Sequence, residues 1–99
     1  MLDLDALAQV RAKNLGQEEQ SWRNVLWSSA FQELTQNMSD GEVANLVSHC
    51  TSAPQLANLV QYLAGKARSL GQPPYTVLMN ECETEGLDPA SWVAVKVSG

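Results

Sequence analysis

The chain has 99 residues, 44% of them hydrophobic, with six basic and eleven acidic side chains and a net charge of −5. That length makes one domain, spanning residues 1–99, with a single core. The charge lacks the basic footprint of a dedicated DNA or RNA reader and disfavours anionic membrane surfaces.

The longest apolar runs are only a few residues, too short to cross a bilayer. Met1 to Lys13 opens with Asp3 and Asp5 and lacks the basic-then-apolar order of a secretory signal. Cys50 and Cys82 stand at no metal-binding spacing, so a reducing cytoplasmic setting is the expectation.

Helix signals recur along the chain. Asp3 or Asp5 caps a first helix carrying Leu4, Leu7, Val10 and Leu15, with Gly16 as its stop. Gln17 to Asn37 reads as one long second helix with Trp22, Leu26, Trp27, Ala30, Phe31 and Leu34 as its apolar set and Met38 just beyond. Ser39-Asp40-Gly41-Glu42 fits the capping box, and Val43, Leu46, Val47 and Cys50 follow at helical spacing. Ser52-Ala53-Pro54-Gln55 repeats the box with proline in the first turn, where its missing N–H costs little. Leu56, Leu59, Val60, Leu63, Ala67 and Leu70 then form the cleanest stripe, ended by Gly71.

Pro73-Pro74 prevents that helix from continuing. Tyr75, Leu78, Met79 and Cys82 mark a short amphipathic helix stopped by Gly86, and Asp88-Pro89 reads as a cap followed by proline at the first helical position. The tail from Trp92 to Val97 alternates like a strand, yet a lone strand has nothing in the chain to pair with. A short helix is therefore favoured there; a strand would pair with another chain. Ala-Asn-Leu-Val occurs at 44–47 and again at 57–60, a spacing too short for solenoid repeats. The expected fold class is all-α, a compact bundle of five or six short helices.

Chemistry-bearing constellations are thin. His49 adjoins Cys50, but neighbours on a helix point about 100° apart and cannot chelate one ion from the same face; no metal site and no cofactor is expected. Cys82 has Glu81 and Glu83 beside it, which would raise its pKa and suppress the thiolate. No nucleophile elbow, phosphate loop or zinc-protease motif is present. No enzyme is expected, and no small-molecule substrate or catalytic residue is evident.

Binding remains. At about 100° per residue, the apolar positions of the second helix, Met38 included, spread over nearly half its circumference, an arc wider than an ordinary surface helix buries. Either this helix is the central one of the bundle, or part of the arc is a partner surface. Arg23 falls among those apolar residues, with Glu19 and Trp27 at i−4 and i+4, in reach of a salt bridge and a cation–π contact. Trp22, Arg23 and Trp27 are thus the first candidates for partner binding, since Trp and Arg are enriched at interface anchors. Glu81 and Glu85, which share a helical face within the acidic run to Asp88, are candidates for docking on a basic partner.

The alternative is a small helical subunit of a nucleoprotein complex. It would contact a nucleic-acid backbone through Arg11, Lys13, Lys66 and Arg68, if the helices carrying them pack side by side. The reading favoured by the residues is a protein–protein interaction module: an adaptor, an inhibitor or an accessory subunit that binds a protein partner or itself.

Overall fold

The computed structural model describes residues 2–98; Met1 and Gly99, which the single-domain reading also covers, lie outside the described residues. The chain is all-helical, with seven helices among the described residues where five or six were expected: α1 (Leu4–Leu15), α2 (Glu19–Leu26), α3 (Ser29–Thr35), α4 (Asp40–Ser48), α5 (Ala53–Leu70), α6 (Pro74–Glu85) and α7 (Pro89–Ser98). None of them is long and apolar enough to cross a membrane.

The extra helix comes from a break in the segment expected to be one long helix. Trp27 ends α2, and Ser28, with extended backbone, caps α3 by accepting the Phe31 N–H. Its hydroxyl also donates back to the Val25 carbonyl at 2.7 Å. One serine side chain therefore satisfies backbone groups on both sides of the break, which offsets the cost of two new helix ends. Across the break the angular argument for a single wide apolar arc does not hold.

Other end signals act as the residues indicate. Asp3 accepts from the Asp5 and Ala6 N–H groups, and Ser39 and Glu42 close a full capping box. Ser52 caps α5, but Gln55 reaches past it to the N–H and hydroxyl of Thr51, so the second box closes on a neighbouring residue. Asp88 accepts from the Ser91 N–H and caps α7, and the tail is helical through Ser98.

Three joints share one design. Gly16, Gly71 and Gly86 each adopt φ of 65° to 69°, and each terminates a helix with the same pair of backbone bonds. The glycine N–H bonds the carbonyl three residues back, and the next N–H bonds the carbonyl five residues back. Only glycine takes this left-handed conformation without strain. The following helix begins three residues after each glycine, at Glu19, Pro74 and Pro89. Six residues after each glycine stands a buried anchor: Trp22, Val77 and Trp92, at 0%, 1% and 0% exposure.

The central element is α5, not the second helical segment. It packs on α2, α3, α6 and α7, while α1 packs chiefly along α2, and α4 meets α7. The core runs from Ala8 and Ala12 through Trp22, Phe31 and the α5 leucines to Trp92 and Val93, and no polar or charged residue among those described is buried in it. On α1 the buried face centres on Ala8 and Ala12. Val10, expected in that stripe, lies about 200° around from Ala8 and is exposed. Leu70 and Met79 are likewise exposed, Leu70 because it falls in the last turn of α5.

Candidate functional site

With no buried polar or charged residue among those described, chemistry and recognition are left to the surface. The sequence candidates separate there into fastened and displayed groups.

Trp22 is core. Its ring is fully buried, its indole N–H donates to Gln17 Oε1 at 3.0 Å, and the Arg11 guanidinium lies 5.7 Å from its centroid. In this fold it offers nothing to a partner, because the first turn of α2 lays it directly under α1. Trp27, five residues on, is 57% exposed. It occupies the residue where α2 stops, so the ring projects from a helix end. Its indole N–H is held by Asp5 Oδ1 at 2.8 Å, across to the start of α1.

Arg23 completes this corner. It forms the expected i,i+4 ion pair with Glu19, and its Nε stands 3.7 Å from the same Asp5 oxygen. That Nε is shielded from solvent without a hydrogen-bond partner. The cation–π contact expected between Arg23 and Trp27 is replaced by that of Arg11 with Trp22. Asp5, Glu19 and Arg23 therefore tie the ends of α1 and α2 together around an exposed indole. Two carboxylates against one guanidinium leave the corner acidic, and Asp3 and Glu18 are exposed nearby in the chain.

Glu81, half-buried, and Glu85, exposed, are both engaged by the chain's own helices. Glu81 pairs with Lys66 of α5 and accepts from the Tyr62 hydroxyl at 3.0 Å. The hydrogen bond from Lys66 is the main cause that holds its carboxyl below the usual range, and the same contact raises Lys66. Glu85 accepts from the Trp92 indole N–H at 2.7 Å and pairs with Lys96 at 3.3 Å. These two carboxylates fasten α6 to α5 and α7. Of the rest of the acidic run, Glu83 is exposed, and Asp88 is held low chiefly by its hydrogen bond from Ser91.

The basic residues are not gathered. Arg11 donates to the Cys50 carbonyl at 2.6 Å, joining α1 to the loop after α4, and Lys66 is paired with Glu81. Lys13 and Arg68 are exposed. Any contact between α1 and α5 is marginal, so the side-by-side packing that a merged basic patch requires is absent among the described residues.

Both cysteine thiols are pushed above their ordinary value. Burial pushes Cys50 up to about 11 against the opposing pull of Arg11. Cys82 is raised first by burial and then by Asp88, Glu85 and Glu81, so the expected direction holds with a different leading cause. His49 Nδ1 donates to the Asn45 carbonyl at 2.7 Å, and among the described residues no three His, Cys, Asp or Glu side chains converge on a metal site.

Sequence reasoning missed the tie from Trp27 to Asp5, which spans 22 residues and has no local signature. It also passed over the glycine-plus-six anchors, whose signal lies in the text as Gly16…Trp22 and Gly86…Trp92.

The molecule is thus defined as an all-helical domain whose chemistry-bearing residues mostly brace its own helices. No family model matches the chain, and no curated protein and no solved structure matches it either.

Proposed function

We propose that the chain is a non-catalytic protein-interaction module, acting as an adaptor, an inhibitor or an accessory subunit, and that Trp27 is its anchor. One observation carries this reading: an indole left 57% exposed at a helix end while its N–H is held in place by Asp5. Single exposed apolar residues are ordinary, but tryptophan is large and costly to leave in water, and it dominates interface hot spots. The Asp5 hydrogen bond fixes the ring in advance, which lowers the entropy lost on docking.

The surroundings state what kind of partner fits. The ring calls for an apolar recess, and the acidic corner of Asp5, Glu19 and Arg23 calls for a rim with excess Lys and Arg. A reducing compartment such as the cytoplasm suits the two buried free thiols, Cys50 and Cys82.

A photoreactive phenylalanine analogue at exposed Asn24, one turn from an intact Trp27, irradiated in extract of the cells that express the chain, tests the reading. The expected result is a discrete protein adduct that unlabelled wild-type chain competes away and Trp27→Ala does not. Absence of an adduct, or equal competition by both chains, would count against it.

A further inference from the structure

Arg11, Arg23, Lys66 and Lys96 each bond to the chain itself. The cleft between α3 and α5 is built differently. Its volume of about 680 Å3 lies within the span of roughly 300–1,000 Å3 common for small-ligand sites. Glu33 and Gln36 stand on the α3 side, Gln61 and Arg68 on the α5 side, and Gln72 lies at the end that the Gly71 turn closes. All five side chains are exposed, and none has a hydrogen bond or ion pair with another described residue. Glu33 and Arg68 thus face one cleft from opposite walls without pairing with each other. Beneath them the floor is apolar, with Ala67 and Pro74 buried and Ala64 half-buried.

We propose that this cleft binds a short peptide with free ends, its ammonium on Glu33 and its carboxylate on Arg68. Opposite charges on opposite walls select a ligand that carries one sign at each end. A simple anion or cation satisfies one wall and is repelled by the other. Guanidinium suits the carboxylate end, because it binds a carboxylate through two parallel hydrogen bonds.

The rest of the cleft suits what lies between the two ends. Each glutamine amide offers a donor and an acceptor, the pair that a peptide bond requires. Packed helix axes stand roughly 8–10 Å apart, and an extended chain covers that distance in about three residues. A single amino acid, by contrast, carries both charges on one carbon. The floor of Ala64, Ala67 and Pro74 takes a small apolar side chain in the middle of the ligand.

This site uses none of the residues of the Trp27 corner, so the two readings fail separately. The test is titration of the 15N-labelled chain with trialanine, followed through its amide chemical shifts. Saturable shifts are expected in α3, the C-terminal half of α5 and the turn at Gly71. N-acetyl-trialanine, which lacks the ammonium, and trialaninamide, which lacks the carboxylate, should each bind about tenfold more weakly. Two variants assign the ends. Arg68→Gln should bind trialanine and trialaninamide equally, and Glu33→Gln should bind trialanine and its acetylated form equally. Neither side chain bonds to another described residue, so both variants should unfold at the parent temperature. No saturable shift up to the solubility limit, shifts located elsewhere, or blocked peptides that bind as tightly as trialanine overturns the proposal. Inorganic phosphate binding there as tightly as trialanine also overturns it, by marking Arg68 as a plain anion site.

Discussion

The Trp22 and Trp92 joints share one plan and are locked by different chemistry. In each, a left-handed glycine ends a helix, the next helix starts three residues later, and a tryptophan six residues after the glycine fills the core. In each, a cation lies over the ring: Arg11 at 5.7 Å from Trp22, Lys96 at 5.5 Å from Trp92. The difference is the acceptor for the indole N–H. Trp22 donates to Gln17, which is neutral at every pH, whereas Trp92 donates to Glu85, which is also paired with Lys96. The indole acceptor of the N-terminal joint is thus a group that does not titrate, with the ion pairs of Asp5, Glu19 and Arg23 further out at the same corner. That of the C-terminal joint is a carboxylate, on the helix whose Glu81 also meets Lys66 and Tyr62. The lesson is that backbone geometry places an anchor, while the residues flanking the turn decide what conditions loosen it.

The largest effect tests the shared part. Trp22→Ala and Trp92→Ala should each cost about 3–5 kcal/mol in denaturant unfolding, because both leave a cavity where a fully buried ring stood. Equal losses would support a common plan; a loss confined to one site would break it.

The acceptors come next. Gln17→Ala leaves the Trp22 N–H without a partner in a partly buried site and should cost about 1–3 kcal/mol. Glu85→Gln keeps an acceptor for Trp92 and removes only the half-exposed pair with Lys96, so about 1 kcal/mol or less is expected. The reverse order would mean that the ionic lock is the stronger one.

Acid sharpens the contrast further. Glu81 has a folded-state pKa below its ordinary value, so its contribution is present above the ordinary carboxylate range and is lost as pH falls through the lowered value. Lys66 is shifted the other way, and its contribution is lost only as pH rises through a value above 10.5. Unfolding free energy should therefore decline on acidification, and Glu81→Gln should flatten that decline. Pulsed hydrogen exchange at low pH should show α6, which Glu81 fastens to α5, opening before α1 and α2. Uniform opening of both ends would show that the two locks are not distinct.

Much of the fold is legible in the sequence because its end signals are local. Asp3, Ser39 with Glu42, Ser52, Asp88 and the three terminating glycines each act within one turn, so a reader of the text can place them. The break at Ser28 is also local, but the apolar spacing from Trp22 to Leu34 continues across it and hides the cap. Depth within the bundle is less legible, because it depends on which helices meet. Val10 and Ala8 both lie on α1, yet packing against α2 buries only the alanine.

The same limit governs the site. The Glu19–Arg23 pair follows from i,i+4 spacing, whereas the Trp27–Asp5 bond joins two helices that only the tertiary fold brings together. Trp22 and Trp27 look alike in the sequence, but five residues place them about 140° apart around α2, and only Trp22 falls on the face that α2 buries.

The most direct test of the account is therefore chemical denaturation of Trp27→Ala beside Trp22→Ala, since the proposed role of Trp27 requires a residue the fold does not need. The expected change for Trp27→Ala is about 1 kcal/mol or less, the net worth of its exposed hydrogen bond to Asp5. A loss approaching that of Trp22→Ala would contradict the account and return Trp27 to the structural framework.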